Sequence, residues 1–286
     1  MVQHSHSVLA CLDVETAPES ALIPPGTDPS AFPKLPYHRV VAVSFVEAEI
    51  ALDDSGYEWY RVTGVRSGGR EDYTEAQILK AFWRWFADRK PRVVTYNGRG
   101  FDLPLLKLRA LFHGVAAESW YKAGDKWSTY GQRYSADWHC DLYDVLSDFG
   151  ATRNLGGLDD VCRSMGLPGK IGGHGSEVAD MITQGRIADV RAYCEGDVLN
   201  TFALYVRYAL LSGRTTVVGH NRSLESLIDL LGRERKDRLH LGKFLDMWTE
   251  STARRGMPLL LPEPPVVRSA DSIEERHLES EHVLPV

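Results

Sequence analysis

The chain has 286 residues, of which 43% are hydrophobic and 25% charged, enough for one substantial core with or without an appendage. Its net charge of −6 argues against a protein that coats nucleic acid through a broad basic surface, although an enzyme that grips a few terminal nucleotides through bound metal is not excluded. No apolar run is long enough to cross a bilayer, and no signal-type segment begins the chain. The four cysteines form no CxxC pair, so we expect no zinc site, no disulfide framework and a cytoplasmic location.

The first part of the chain predicts strands and then strand–helix alternation. VLACLDV is typical of a strand, and a Pro-rich loop, residues 18–36, separates it from a second predicted strand, VVAVSFVEAEI. YEWYRVTGV predicts a third, half-exposed strand, and the apolar spacing in YTEAQILKAFWRWFADRK predicts a helix. VVTY predicts a short buried strand; after the turn NGRG, FDLPLLKLRAL predicts a helix with Pro104 in its first turn.

The second part of the chain is mainly helical. Residues 116–137 are predicted to be irregular, HCDLYDVLSDF and NLGGLDDVCRSMG to be short helices, and LPGKIGGHGSEV to be a Gly-rich loop. Residues 186–211 carry the longest helical pattern, and after a break at 212–221 we expect one or two more helices. This order of elements favours an α/β fold in which helices cover a mixed sheet.

Carboxylates stand at the ends of these elements. Asp13 and Glu15 end the first strand, and because residues i and i+2 of a strand share a face, they would stand side by side. Asp102 lies where a turn meets a helix, and Asp197 lies in the longest helix with Tyr193 one turn earlier. Such acids could bind Mg²⁺ or Mn²⁺, and two ions could clamp a phosphoryl displacement. The Tyr193 hydroxyl could orient the attacking water.

Each of these residues has a plainer interpretation when it is taken alone. Asp13 and Glu15 could form an exposed strand end, and Asp102 could be a charge that favours a helix N-terminus. Tyr193 and Asp197 could be an ordinary, partly buried tyrosine and a solvated acid. The three segments together decide between these interpretations.

LDVE, NGRGFD and YCEGD, in this order, resemble the three motifs of the DEDD superfamily of 3′–5′ exonucleases. Tyr193, four residues before Asp197, matches the tyrosine subtype, whereas the histidine subtype would place His at position 192, which is Ala. The overall arrangement resembles the proofreading exonuclease domain of family-B DNA polymerases. It resembles still more closely the stand-alone bacterial proteins described as polymerase-B-like predicted 3′–5′ exonucleases. The resemblance covers about residues 7–211, and too few residues follow for a polymerase domain.

The resemblance implies a ribonuclease-H-like fold, with a mixed sheet and helices on both faces. It implies two Mg²⁺ or Mn²⁺ ions bound by four carboxylates, those of Asp13, Glu15, Asp102 and Asp197. It also implies that Tyr193 positions the attacking water. Asn97 and Phe101 match the second motif, where these residues shape the pocket for the terminal nucleotides.

Several residues keep more than one interpretation. Asn97 could be a turn residue as well as a substrate contact, and Phe101 could be a core residue as well as a base-stacking one. Lys170, in the Gly-rich loop, could be solvated or could contact a substrate phosphate. Asp141 is expected to cap a helix, with a supporting role in the site as the minor alternative. The basic residues at 233–238 are expected to form a solvated face.

We therefore expect a metal-dependent 3′–5′ exonuclease that acts on the 3′ end of single-stranded nucleic acid, DNA favoured, and releases nucleoside 5′-monophosphates by two-metal hydrolysis. Two alternatives stay open: a 3′–5′ exoribonuclease, and a catalytically silent module that binds nucleic-acid ends. The expected organisation is an exonuclease domain at 7–211, a helical extension at 222–256 that packs on the core or forms an oligomer contact, and a mobile tail at 262–286.

Overall fold

Our computed structural model describes residues 6–28, 31–68, 72–171 and 175–262. Within them, five strands form a single sheet: β1 (Val8–Pro18), β2 (His38–Leu52), β3 (Glu58–Ser67), β4 (Arg92–Thr95) and β5 (His139–Asp141). Their spatial order is β3–β2–β1–β4–β5. The β1–β2 and β2–β3 pairs are antiparallel, and the β1–β4 and β4–β5 pairs are parallel. A long antiparallel meander therefore continues into two short parallel strands.

The described residues also form nine α-helices: α1 (Glu75–Arg89), α2 (Asp102–Phe112), α3 (Glu118–Lys122), α4 (Leu142–Leu146), α5 (Leu158–Ser164), α6 (Gly175–Thr183), α7 (Ile187–Leu211), α8 (Val217–Glu234) and α9 (Leu239–Arg255). Helix α1 begins with a capping box, in which the side chains of Thr74 and Gln77 each accept a hydrogen bond from the other residue's backbone N–H. In the described part of the chain, no helix combines the length and apolarity that a bilayer span requires.

The sheet carries an apolar cluster on each face. Because successive strand residues point to opposite faces, Cys11 of β1 joins one cluster and Leu12 joins the other. Helices α5, α7, α8 and α9 contribute buried residues to the cluster around Cys11, and α1, α2 and α3 contribute to the cluster around Leu12. The predicted α/β architecture, a mixed sheet with helices on both faces, is confirmed.

The helices after residue 211 pack on this core. Trp248 of α9 is completely buried in the same cluster as Cys11. Two serines of α8, Ser223 and Ser226, accept hydrogen bonds from the backbone N–H groups of Tyr60 and Val62 in β3. Helix α8 thus satisfies donors of β3, the strand at one edge of the sheet that the described residues form. A domain boundary at 211 stays a prediction.

A buried ion pair joins the beginnings of β3 and β4. The Arg92 guanidinium donates to both carboxylate oxygens of Glu58, at 2.6 and 2.8 Å, and both side chains are at most 1% exposed. The hydroxyl of Tyr60 donates to Glu58 at 2.8 Å, and Arg92 also donates to the hydroxyl of Tyr205 at 3.2 Å. Burial by itself raises the pKa of Glu58, but the bonds from Arg92 outweigh it and hold the pKa at about 2.

Three local features differ from the sequence-based expectation. Residues 139–141 form strand β5 where a helix was expected to begin, because three residues are too few to display strand alternation. Helix α6 begins at Gly175, inside the predicted Gly-rich loop, and α8 begins at Val217, inside the predicted break. The longest predicted helix, residues 186–211, is confirmed as α7. Apart from Pro262, the predicted tail lies outside the described residues.

Candidate active site

The site lies where β1 extends beyond the end of β4. Strand β4 pairs with β1 only from Leu9 to Cys11, so the next residues of β1 have no parallel neighbour. There the backbone N–H of Val14 donates to Oδ1 of Asp102, at 3.0 Å, instead of to a strand. Asp102 is the first residue of α2, so this bond joins the start of α2 to β1 beside Asp13.

Asp13 and Glu15 lie on the face of β1 that α7 covers. One potential ligand atom from each of Asp13, Glu15 and Cys194 lies within 4.8 Å of the other two. The Cys194 thiol, on α7, is 3.4 Å from Oδ2 of Asp13. The register of β1 against β2 shifts between Glu15 and Thr16, and such bulges re-aim side chains. Strand β1 continues to Pro18, so the expectation that the two acids end the strand is wrong, but they stand side by side on one face of the sheet, as the spacing predicted.

Burial raises the pKa of all four carboxyls, and repulsion from other acids adds to this effect at Glu15, Asp102 and Asp197. Asp102 and Asp197 are each only 6% exposed, and burial is the largest cause of the raised pKa at every one of the four. The charge of Asp13 further raises the pKa of Glu15, Asp102 and Asp197. For Asp197 the resulting pKa is about 8. Four acids from three distant segments therefore form one electrostatic cluster that a cation would stabilise.

Tyr193 lies beside this cluster. Its side chain is 6% exposed, and its hydroxyl has no hydrogen-bond partner among the described residues. Burial, followed by the charges of Asp197 and Glu15, raises its pKa, so the hydroxyl is protonated at neutral pH. A neutral hydroxyl can both donate and accept a hydrogen bond. This is the chemistry that a water-positioning residue needs, and that role stays a prediction.

Lys170 reaches the same cluster. Its ammonium nitrogen is 3.9 Å from Oδ2 of Asp197 and 5.4 Å from the centre of the Tyr193 ring. The side chain is 31% exposed, so the ammonium lies at the boundary between the site and solvent. Lys170 therefore belongs to the site, although its contact with a substrate phosphate stays a prediction.

Asp141 orders the turn that leads to α2. Its carboxylate accepts the backbone N–H groups of Asn97 and Arg99, each at 2.8 Å, and that of Tyr143 at 3.1 Å. The last of these bonds caps α4, so the predicted capping role is confirmed. The first two fix the NGRG turn immediately before Asp102, and they give Asp141 an indirect influence on the site.

The two residues predicted from the second motif lie on this turn and next to it. Asn97 is exposed and adopts a left-handed backbone conformation with φ 62°, as turn residues do. Phe101 is half-buried, and its ring centre lies 5.7 Å from that of His38 and 5.8 Å from that of Phe32. Both residues lie close to Asp102, and their contacts with terminal nucleotides stay predictions.

Sequence reasoning missed three residues that support the site. Asn200 of α7 is 1% exposed and bonds both the N–H and the C=O of Gly169, at 3.2 and 2.8 Å. Asp159 accepts the backbone N–H of Lys170 at 2.6 Å. These bonds hold the loop that carries Lys170, and the thiol of Cys194 contacts Asp13. An asparagine one turn after Asp197, in an otherwise apolar stretch, was the available signal for Asn200.

Glu195, two residues before Asp197, has the opposite electrostatic environment. It accepts hydrogen bonds from Ser67 of β3 at 2.7 Å, from Arg238, and from His240 of α9 at 2.5 Å. Burial alone raises its pKa, but these partners outweigh burial and lower it. Arg238 is only half-exposed, so the expectation that the whole basic group at 233–238 is a solvated face is wrong for this residue.

No curated protein matches this chain. A solved structure with a similar fold is the family B DNA polymerase from the hyperthermophilic archaeon Pyrobaculum calidifontis, with 20% identity and a TM-score of 0.47. The similarity covers 77% of this chain and 29% of the polymerase chain. A protein-family model matches residues 30–248, a range that begins after β1. Because this match includes more than half of the chain, the protein belongs to the family described as predicted 3′–5′ exonucleases related to the exonuclease domain of PolB.

Proposed function

We propose that this protein hydrolyses single-stranded nucleic acid, with DNA favoured, from the 3′ end and releases nucleoside 5′-monophosphates. The observation that carries the proposal is the convergence of four carboxylates with raised pKa values around a protonated tyrosine hydroxyl. Among the described residues, Lys170 is the cation that forms an ion pair with this cluster. Such an excess of buried negative charge lowers the stability of the protein, and it is typical of a functional site.

We infer that two Mg²⁺ or Mn²⁺ ions are the cofactors. The donors are hard oxygen atoms, which suit these ions, and the ions would be held by the DEDD carboxylates Asp13, Glu15, Asp102 and Asp197. When bound, two such ions supply positive charge that activates a water molecule and stabilises the leaving oxygen. The fit is supported by the raised pKa values, since each carboxylate gains stability from a neighbouring positive charge.

The remaining steps belong to side chains of this chain. The hydroxyl of Tyr193 donates a hydrogen bond to the attacking water or accepts one from it. This bond holds the water in line with the scissile phosphorus. Lys170 contacts a phosphate oxygen of the substrate from the edge of the site. Asn97 and Phe101 shape the pocket for the terminal nucleotides, with the Phe101 ring against a base.

A cytoplasmic location is part of the same proposal. All four cysteines are free thiols and buried, as is usual for a protein of a reducing compartment.

The test is a gel assay on 5′-labelled single-stranded DNA and RNA of one sequence, with Mn²⁺, Mg²⁺ or EDTA, and a blunt duplex of the same sequence for comparison. We expect a metal-dependent ladder that shortens from the 3′ end, faster on the single strand than on the duplex. Faster cleavage of RNA than of DNA would favour the exoribonuclease alternative. It would mean that the pocket for the terminal nucleotides accepts the 2′-hydroxyl group of RNA.

The matched control is Asp229→Asn, an exposed acid on α8 outside the site, beside Asp197→Asn within it. The first variant should cleave like the wild type, and the second should not cleave. If no substrate is shortened with any metal, the proposal fails in favour of a silent module that binds nucleic-acid ends.

A further inference from the structure

A pocket of about 400 Å³ opens beside the NGRG turn. Asn97 and Arg99 of the turn, Lys107 of α2 and Arg133 lie on its wall. Asp141 lies there too, and so do Gly100 and Leu103, on either side of Asp102 in the chain, so the pocket adjoins the Asp102 end of the site. Its volume falls in the range of small-molecule sites. Neither the exonuclease motifs nor the roles proposed above use the greater part of this pocket.

The pocket has an excess of positive charge. The guanidinium groups of Arg99 and Arg133 both pair with Asp144, at 3.4 and 3.0 Å. Lys107 is half-buried, with its ammonium 5.3 Å from the ring centre of Trp120, and no carboxylate of the described residues forms an ion pair with it. Burial, followed by the charge of Arg99, lowers the pKa of Lys107. An anion beside Lys107 would compensate the positive charge of its half-buried ammonium and stabilise the charged form.

The floor of the pocket is aromatic and carries an unsatisfied polar atom. The rings of Trp120 and Tyr130 are stacked, with centres 5.0 Å apart and planes at 21°. His139, which is 1% exposed, bonds the Thr95 hydroxyl through Nε2 at 2.9 Å. Its Nδ1 has no hydrogen-bond partner in the described part of the chain. A buried polar atom of this kind normally has a partner, so a ligand with a polar edge fits here.

An exposed aromatic side chain lies next to Arg133 in the chain, beside the pocket. Tyr134 follows Arg133 directly, is 76% exposed, and packs its ring edge-on against Phe149, with centres 4.9 Å apart. An exposed tyrosine beside a basic side chain is the combination on which single-stranded bases stack.

We propose that this pocket binds one nucleotide of the strand whose 3′ end lies at the four carboxylates. The phosphate lies toward Lys107 and Arg133, the base lies over the aromatic floor beside His139, and Tyr134 stacks on the adjacent base. The inference rests on the proposed function, since it places the pocket upstream of the scissile bond. A free nucleoside 5′-monophosphate has the same chemistry, so the experiment distinguishes the strand from the free product.

The experiment compares Lys107→Gln with Lys80→Gln, an exposed lysine of α1 away from the pocket. Binding of 5′-fluorescein oligothymidylates of two and six nucleotides is measured by anisotropy in EDTA, and KM and kcat are measured with Mn²⁺. For the six-nucleotide strand (the hexamer), Lys107→Gln should raise Kd and KM about tenfold, the effect of one charge-assisted contact, with a smaller effect on kcat. For the two-nucleotide strand (the dimer), the increase in Kd and KM should be smaller. Lys80→Gln should match the wild type within twofold on both strands.

Two further variants keep the test decisive if Lys107→Gln does not fold. Arg133→Gln should weaken hexamer binding in the same way, and Tyr134→Ala, a change at an exposed position, should weaken it about threefold to tenfold. Thermal melting of each variant establishes that it is folded. Wild-type hexamer binding by all three variants would overturn the proposal, as would equal losses for the dimer and the hexamer.

A titration with thymidine 5′-monophosphate in EDTA distinguishes the free product from the strand. Binding to the wild type that Lys107→Gln abolishes, without any dependence on strand length, would make the pocket a product site and overturn a strand subsite. Cleavage of the hexamer by the wild type tests the proposed function separately. An inactive wild type that still shows length-dependent binding through Lys107 would refute the exonuclease activity and leave the subsite supported.

Discussion

Two buried sets of carboxylates in this protein have opposite electrostatic balances. Glu58 accepts hydrogen bonds from the guanidinium of Arg92 and the hydroxyl of Tyr60, and its pKa is lowered to about 2. Asp197 is almost as buried, but it faces other acids and its pKa is raised to about 8. Burial disfavours the charged form of both carboxyl groups, so the difference between their pKa values comes from their partners.

The comparison separates a structural carboxylate from a functional one. A buried acid with a well-bonded cation joins elements, and removing either partner leaves an uncompensated charge. A buried acid among other acids destabilises the metal-free protein, and such an arrangement is typical of a site that binds cations. Substitutions in the two sets should therefore have opposite effects on stability and activity.

The largest effect is expected for Asp197→Asn. The substitution removes one proposed metal ligand, so we expect kcat/KM on a 5′-labelled single strand to fall at least about a thousandfold. It also removes a charge from a repelling set, so the melting temperature in EDTA should stay the same or rise. Retention of more than a tenth of the activity, with Asp229→Asn as the control, would contradict the ligand assignment.

Glu58→Gln should have the opposite consequence. It leaves the buried guanidinium of Arg92 without a carboxylate, and we expect the free energy of unfolding to fall by about 3–5 kcal/mol in urea denaturation. The matched control is Glu49→Gln, which breaks the exposed Arg61–Glu49 pair and should cost less than about 1 kcal/mol. The folded Glu58 variant should keep its activity. Equal costs for the two substitutions would refute the structural role.

Tyr193→Phe should have a smaller effect on activity. The ring stays in place and one hydrogen bond to the attacking water is lost, so we expect kcat to fall about 10–100-fold. The hydroxyl has no partner among the described residues, so the melting temperature in EDTA should not decrease. A variant as inactive as Asp197→Asn would show that the hydroxyl does more than position water.

The smallest expected effect is on the pH dependence of stability. The pKa of Asp197 is raised from 3.8 to about 8, so between these values the folded protein binds more protons than the unfolded chain. Its free energy of unfolding in EDTA should therefore decrease as the pH rises from 5 to 8, and the melting temperature should fall in the same direction. Saturating Mn²⁺ should reduce this decrease. Identical melting temperatures at both pH values in EDTA would contradict the prediction.

The fold and the four acids were predictable from the sequence because their signals are local and ordered. Two carboxylates at i and i+2 of a strand share one face, and Tyr193 and Asp197 are one helical turn apart, so the sequence of each segment predicts its local geometry. That these segments meet could be inferred only from their resemblance to known motifs. No spacing within this sequence specifies the bond between Asp102 and the backbone of Val14.

The parts that could not be predicted depend on contacts between distant residues. The three residues of β5 form a strand only because β4 lies beside them. Asn200 resembles a helix-surface residue until the loop at Gly169 packs against it. The pocket beside the NGRG turn combines residues from α2, α4 and the irregular segment between α3 and β5, and composition alone does not show that they surround one volume.

The bonds of Glu195 have a consequence for where the catalytic unit ends. All three motifs are complete by residue 197, and α7 ends at Leu211. A shortened chain that stopped there would nevertheless lose Arg238 and His240, the partners that neutralise Glu195 two residues before Asp197. It would also uncover the apolar surface that Trp248 covers. We therefore expect a chain truncated at residue 211 to be less stable than the full chain, so gene truncations guided by the motifs alone would remove residues that support α7.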